Sequence, residues 1–209
     1  ALPLVLERIP ATLYLAAVAL LLILPLAITM GTVAALKPRS VVDRVINVIS
    51  LGGVSIVEFW LALMLILVFA VQLGWFKTSG YGGFRFVILP ALALAYKPLG
   101  RISQVTRSSM LEALRKPYIK AARAKGLSER TVIWQHAVPN GLIPIITVGG
   151  LVLVGLLNGV VITETVFNYP GMGSFLAEAA LSLDVISVLG VTLFSGIILL
   201  GGNLLVDVL

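Results

Sequence analysis

Few residues in this chain could do chemistry, and they are unevenly placed. The 209 residues contain no cysteine and one histidine, His136. That removes disulfide frameworks, thiolate metal sites and cysteine nucleophiles, and it argues against a multi-histidine metal site or a Ser/His/Asp triad. Two ionisable residues stand inside otherwise apolar runs. Glu58 lies roughly 20 Å into one run at ~1.5 Å per residue, and Lys97 lies well into the next. Charges at such depth cost about 2.5–3.5 kcal/mol each on insertion scales and normally face a cavity or a partner. Glu58 and Lys97 are therefore candidates to line a path or to pair. If the run edges shift by one turn, both sit instead at polar edges. A further group, Glu164, Phe167 and Tyr169, leads into Pro170-Gly171, a strong turn signal. It is expected to form a hairpin just outside the fourth run, either as a gate or as a plain connector.

The most patterned polar stretch is 108–140. Pro117 suits a first helical turn, and Gly126 suits a C-terminal cap in the left-handed conformation. Arg123 and Lys125 would complement that helix's negative end. Ser128 can cap a second helix, with Glu129 in its first turn, and Pro139-Asn140 should break it, with Asn140 capping the next run. Residues 117–137 thus read as two short helices around a tight turn. Tyr118, Ala121, Ala122 and Lys125 share a face of the first by spacing, and Val132, Ile133, His136 and Ala137 share a face of the second. Such a pair, with a small apolar face and a basic rim, would serve as a docking element. It would equally satisfy the charge rule for a loop between membrane spans.

The elements that position these residues follow from composition. The chain is 59% hydrophobic and only 11% charged, with a mean hydropathy of +1.10, against about 25% charged in average soluble domains. A soluble exterior cannot absorb that, and disorder requires low hydrophobicity. A span takes about 20 apolar residues. The runs are expected at 13–36, 45–75, 87–108, 142–162 and 185–209, giving an all-α membrane protein of about five helices in one domain. Pro98 is expected to break or kink the third run, and Gly155 and Gly159 form a small-xxx-small pair in the fourth. The net charge of +6 could signal nucleic acid, but eleven of the fifteen Lys and Arg fall at 37–44 and 101–130 and none follows Arg130. This is the distribution of inward-facing loops. It places the N-terminus outside, the loop 112–140 in the cytoplasm, and no nucleic acid among the partners.

The string Lys120-Ala121-Ala122, three residues, Gly126, nine residues, His136, one residue, Val138-Pro139 resembles the EAA motif of ABC importer permeases, with its spacing kept throughout. Tyr118 to Ser128, Pro10-Ala11-Thr12-Leu13, Phe59-Trp60, Leu89-Pro90-Ala91-Leu92 and Glu164 to Gly173 extend the resemblance over nearly the whole chain. They point to the B-type permease of the peptide/nickel branch. The resemblance implies a type I importer fold in the prokaryotic inner membrane. Its cytoplasmic coupling helix would seat on an ATPase subunit through Tyr118, Lys120, Ala121, Ala122, Arg123, Lys125, Gly126, Leu127, His136 and Pro139. It also implies a C-type permease partner, two ATPase subunits, an extracytoplasmic substrate-binding protein, and a further N-terminal span and external domain ahead of residue 1. The chain lacks a Gly-x4-Gly-Lys-Ser/Thr loop. It would therefore carry no cofactor, and ATP and Mg would belong to the partner ATPases. Where the family often has Pro before the residue preceding Phe-Trp, this chain has Val57, so a straighter second span is expected. The competing readings are an ion-coupled secondary transporter, which would show internal repeats, and an intramembrane enzyme or assembly subunit, which would show a tight acid or nucleophile motif. Neither signature is visible.

Overall fold

The computed structural model describes the backbone of residues 2–80 and 82–208, and the side chains there apart from residues 2, 3, 54, 157–159 and 205–208. Tyr81 and the surroundings of Gly159 lie outside the described residues. Among the described residues ten α-helices follow in chain order: α1 (Leu2–Leu36), α2 (Val41–Ser55), α3 (Glu58–Leu65), α4 (Phe84–Ala113), α5 (Pro117–Ala124), α6 (Glu129–Thr131), α7 (Val138–Gly141), α8 (Ile143–Val166), α9 (Met172–Leu181) and α10 (Val185–Val208). Wider π-helical turns extend α3 over Ile66–Gln72 and join α6 to α7 over Val132–Ala137. No strand occurs among the described residues. Among the described residues three helices are long and apolar enough to cross a membrane, and five crossings result if each of two broken pairs counts as one.

Four expectations change in detail. The first run is helical from Leu2, so Pro10-Ala11-Thr12-Leu13 lies within α1 rather than ahead of it. The second run is interrupted: Val57 is extended (φ −71°, ψ 127°) and α3 restarts at Glu58. The break needs no proline, because Glu58 enters the first turn of α3 as a carboxylate at the positive helix end. Pro98 does not interrupt α4, which continues to Ala113. In lipid, one lost backbone bond is tolerated inside a helix where the alternative is an exposed polar backbone. Pro139 does not end its helix either. It sits in the first turn of α7 directly after a π-helical turn, and the break falls at Leu142, ahead of Pro144.

The chain divides into two compact bodies. One comprises residues 1–22, 56–96 and 150–209, and the other residues 23–55 and 97–149. In the first, Val5 of α1, Met172 of α9 and Val191 of α10 form a buried cluster flanked by Ile9, Phe175, Leu176, Phe194 and Ile198. In the second, Ala35, Met110, Ile119, Ala122, Val132, Ala137 and Val138 form the core. Glycine permits two close approaches in that second body. A Cβ at Gly31 of α1 would lie 2.5 Å from Thr106 Cβ, and one at Gly100 of α4 would collide with the Ser50 carbonyl of α2.

Candidate functional site

In the second body, α5, α6 and the turn between them form the expected pair of short helices, a helical hairpin. Pro117 opens α5, whose carbonyls are closed by two bonds: Gly126 N–H to Arg123 O at 3.0 Å and Leu127 N–H to Ala122 O at 3.4 Å. That paired closure requires a left-handed residue after the helix, and Gly126 supplies φ +77°. The Ser128 hydroxyl accepts the Thr131 N–H at 3.3 Å, capping α6. Arg123 donates from Nε and Nη2 to the two Glu129 carboxylate oxygens at 2.8 and 3.1 Å, tying the end of α5 to the start of α6. The arginine thus goes to a carboxylate rather than to the helix carbonyls.

The hairpin has an inside and an outside. Ile119 and Ala122 of α5 and Val132 and Ala137 beyond α6 are buried against Ala35 and Met110. Ile133 packs on the same cluster and His136 is half-buried. The face expected for Tyr118, Ala121, Ala122 and Lys125 is split: Ala122 turns inward and the other three are exposed. Tyr118 (39% exposed), Leu127 (40%) and Trp134 (50%) form the apolar outside. Lys120, Arg123, Lys125, Arg130 and Pro139 are exposed with them. Asn140 does not cap the following helix; its Nδ2 donates to the His136 carbonyl at 2.7 Å.

The first body holds the acids. Glu164 is fully buried near the end of α8. It accepts the Thr12 hydroxyl at 2.6 Å and the Gly173 and Ser174 N–H groups at 2.7 and 3.0 Å. The Thr12 oxygen accepts the Met172 N–H at 2.8 Å. The first three N–H groups of α9 are therefore all met by side chains of α1 and α8, and the fourth, of Phe175, begins the helix's own ladder on Gly171 O. One residue earlier on α8, Thr163 donates its hydroxyl to Glu58 at the start of α3. Phe167 and Tyr169 are buried, and Tyr169 also lines a cavity of about 200 Å³ with Tyr14, Gly82, Gly83 and Val87. Lys97 lies on α4 in the other body and is exposed. Among the described residues no group of three acids, histidines or cysteines could hold a metal.

Comparison with known proteins places this arrangement. The family described as the inner membrane component of binding-protein-dependent transport systems matches residues 27–209. The chain belongs to this family. The permease is 39% identical over 228 residues to the di/tripeptide transport system permease protein DppB of Pseudomonas aeruginosa, covering 96% of this chain and 68% of that one. It is 36% identical over 216 residues to the oligopeptide transport system permease protein AppB of Bacillus subtilis, covering 99% and 68%. Its fold is similar to an inward-facing MetNI methionine ABC transporter chain, with a TM-score of 0.76 at 16% identity over 99% of this chain and 96% of that one. The permease is thus a multi-pass inner-membrane subunit of an ABC transporter.

Sequence reasoning about the permease missed the partners of its acids. Thr12 was visible only as part of a family string, and nothing in its neighbourhood points 152 positions ahead to Glu164. Gly171 and Gly173 could have been found: a Cβ at Gly171 would land on the Glu164 carboxylate, and one at Gly173 would lie 2.6 Å from Val161 Cα.

Proposed function

We propose that the permease forms half of the translocation path of an ATP-driven importer for peptides or related small solutes. A C-type permease would supply the other half, two cytoplasmic ATPase subunits the energy, and an external binding protein the cargo. ATP and Mg would be held by the ATPases. The peptide assignment draws on the names of the relatives. The ATPase dock draws on the hairpin, and this observation carries the reading: 117–137 buries one face in its own body and leaves Tyr118, Leu127 and Trp134 exposed among Lys120, Lys125 and Arg130. Exposed aromatics ringed by cations are interface residues, with tyrosine, tryptophan and arginine the usual hot spots.

Mechanistically, the hairpin's covalent and capped geometry makes it a rigid lever. A displacement of the ATPase groove moves Ile119, Ala122, Val132 and Ala137 together, and Ala35 and Met110 with them, because a packed core shifts as a block. Glu58, Lys97, Glu164, Phe167 and Tyr169 are proposed as path or gate residues. The hydrogen-bonded acids Glu58 and Glu164 fix the starts of α3 and α9 beside the path.

Copurification with the ATPase is the test. Trp134→Ala should weaken ATPase binding by about 2 kcal/mol, roughly thirtyfold. A permease lacking 117–137 should lose its ATPase altogether. Retained association in that deletion would overturn the reading.

A further inference from the structure

The second body contains a charged clamp that the hairpin's docking does not use. Asp43, at the start of α2, is 4% exposed. Its oxygens accept Arg107 Nε at 2.6 Å and Nη2 at 2.8 Å. Two further donors hold the same carboxylate: the Arg39 N–H at 2.9 Å and Asn47 Nδ2 at 2.7 Å. Arg39 adopts φ +62°, a left-handed turn that aims its N–H back at Asp43. Four donors on one buried carboxylate leave it one geometry.

Arg107 is one turn of α4 from Met110, which packs on Ile119 and Ala122 of the hairpin. Along α4, Gly100 abuts the Ser50 backbone of α2, and Thr106 abuts Gly31 of α1. The hairpin cluster itself draws on α1, α4 and 119–142 and, among the described residues, takes none from α2. A movement of the hairpin therefore reaches α1 and α4 by packing; α2 is joined to α1 by residues 37–40, meets α4 at Gly100–Ser50, and is held at its start by the Arg107–Asp43 clamp, whose directed bonds fix the first turn of α2 to α4. In sequence, α2 runs on to the segment that opens with Glu58, which is hydrogen-bonded to α8.

We infer that the Asp43–Arg107 clamp is a transmission element that makes α2 follow the ATPase-driven hairpin, so that it sets transport per ATP rather than ATPase binding. Asp43 and Arg107 are positioning residues in this account, which rests on the proposed ATPase dock. Electrostatics alone would not do this. A single surface pair contributes little, whereas a buried fork with two additional donors has direction as well as attraction.

The test uses the complete transporter in proteoliposomes, with ATP hydrolysis and uptake measured on the same preparation. Asp43→Asn and Arg107→Gln should each retain the ATPase on purification and still hydrolyse ATP. Uptake per ATP should fall by about fivefold or more, the lower edge of ordinary coupling between sites. These 209 residues contain no cysteine, so in an otherwise cysteine-free transporter the pair Asp43→Cys and Arg107→Cys can be joined by a short bifunctional thiol reagent. Linking should restore uptake per ATP toward the unsubstituted value, and a single cysteine treated identically should show no recovery. Unchanged uptake per ATP in the single variants, or no difference between linked and unlinked pairs, overturns the clamp. The linked and unlinked pair is the same folded protein, so a folding defect in the single variants does not shield the inference. Failure of the dock reads out separately, as ATPase retained by the permease lacking 117–137.

Discussion

Replacing Glu164 by leucine and by glutamine should give two distinct outcomes, and the difference follows from counting donors. The buried carboxylate receives the Thr12 hydroxyl on Oε1 and the Gly173 and Ser174 N–H groups on Oε2. Leucine has similar bulk and accepts nothing, so three donors are left buried without a partner. At about 1 kcal/mol each, the low end for an unsatisfied buried group, the loss is about 3 kcal/mol. Glutamine keeps its oxygen where Oε2 stands and so keeps both backbone N–H groups. Its amide can donate to the Thr12 oxygen, which has a second lone pair. Glutamine therefore forfeits the charge at the α9 N-terminus, about 1 kcal/mol, and leaves the Thr12 hydroxyl hydrogen without its acceptor, about 1 kcal/mol more. For a domain of this size 1 kcal/mol moves the midpoint by about 2–4 °C. The leucine variant should thus unfold about 6–12 °C lower and the glutamine variant about 4–8 °C lower, compared in one detergent at one scan rate because such unfolding is kinetic. Equal losses in the two variants would refute the donor count, and a leucine variant as stable as the parent would refute the burial on which it rests.

Three further outcomes are expected. Gly173→Ala, whose Cβ would lie 2.6 Å from Val161 Cα, should destabilise by about 1–3 kcal/mol in the same assay, whereas Gly155→Ala, with nothing within 4 Å, should not. Gly126→Ala meets no atom within 4 Å but must hold φ +77°, at about 1–2 kcal/mol. Limited proteolysis should find the 124–128 turn opened, and Gly126→Asn should be milder because asparagine tolerates that conformation. Asp184 accepts the Ser187 N–H at 3.1 Å ahead of α10, and its carboxyl is held below the ordinary range by hydrogen bonds from the Ser187 side chain and backbone. A depressed carboxyl contributes stability above its unfolded pKa and loses it as pH falls through the folded one. Protection of the first-turn amides of α10, taken relative to their intrinsic exchange rates, should therefore fall on acidification below the ordinary carboxylate range, and less so in Asp184→Asn.

What could be read from the sequence was local. Pro117, Gly126 and Ser128 announce a helix start, a left-handed stop and a cap, and each is found in that role because it depends on a few neighbouring backbone angles. The apolar runs also announce themselves, since the bilayer sets their length. Proline misleads in this setting. Pro98 and Pro139 leave their helices intact, while the second run breaks at Val57 where no proline stands. Pro98 sits in an apolar run, where the cost of exposing backbone favours keeping the helix, and Pro139 falls in a first helical turn, where its missing N–H costs nothing. The split of α5 into Ala122 inside and Ala121 outside depends on where Met110 and Ala35 lie, which no spacing within α5 encodes. The bonds Thr12–Glu164, Thr163–Glu58 and Asp43–Arg107 join residues 152, 105 and 64 positions apart. A single sequence carries no trace of such pairings.

The arrangement at the start of α9 also bears on when this helix can exist. Its first three N–H groups are met by Thr12 and Glu164, side chains from other helices. Thr12 is synthesised 160 positions ahead of Met172, the first residue of α9. A ten-residue helix is marginal by itself, so α9 gains its firm first turn only after α1 and α8 have found each other in the membrane. Its formation then reports that α1, α8 and α9 have come together, and a subunit assembled in the wrong order would leave its trace in this one short helix.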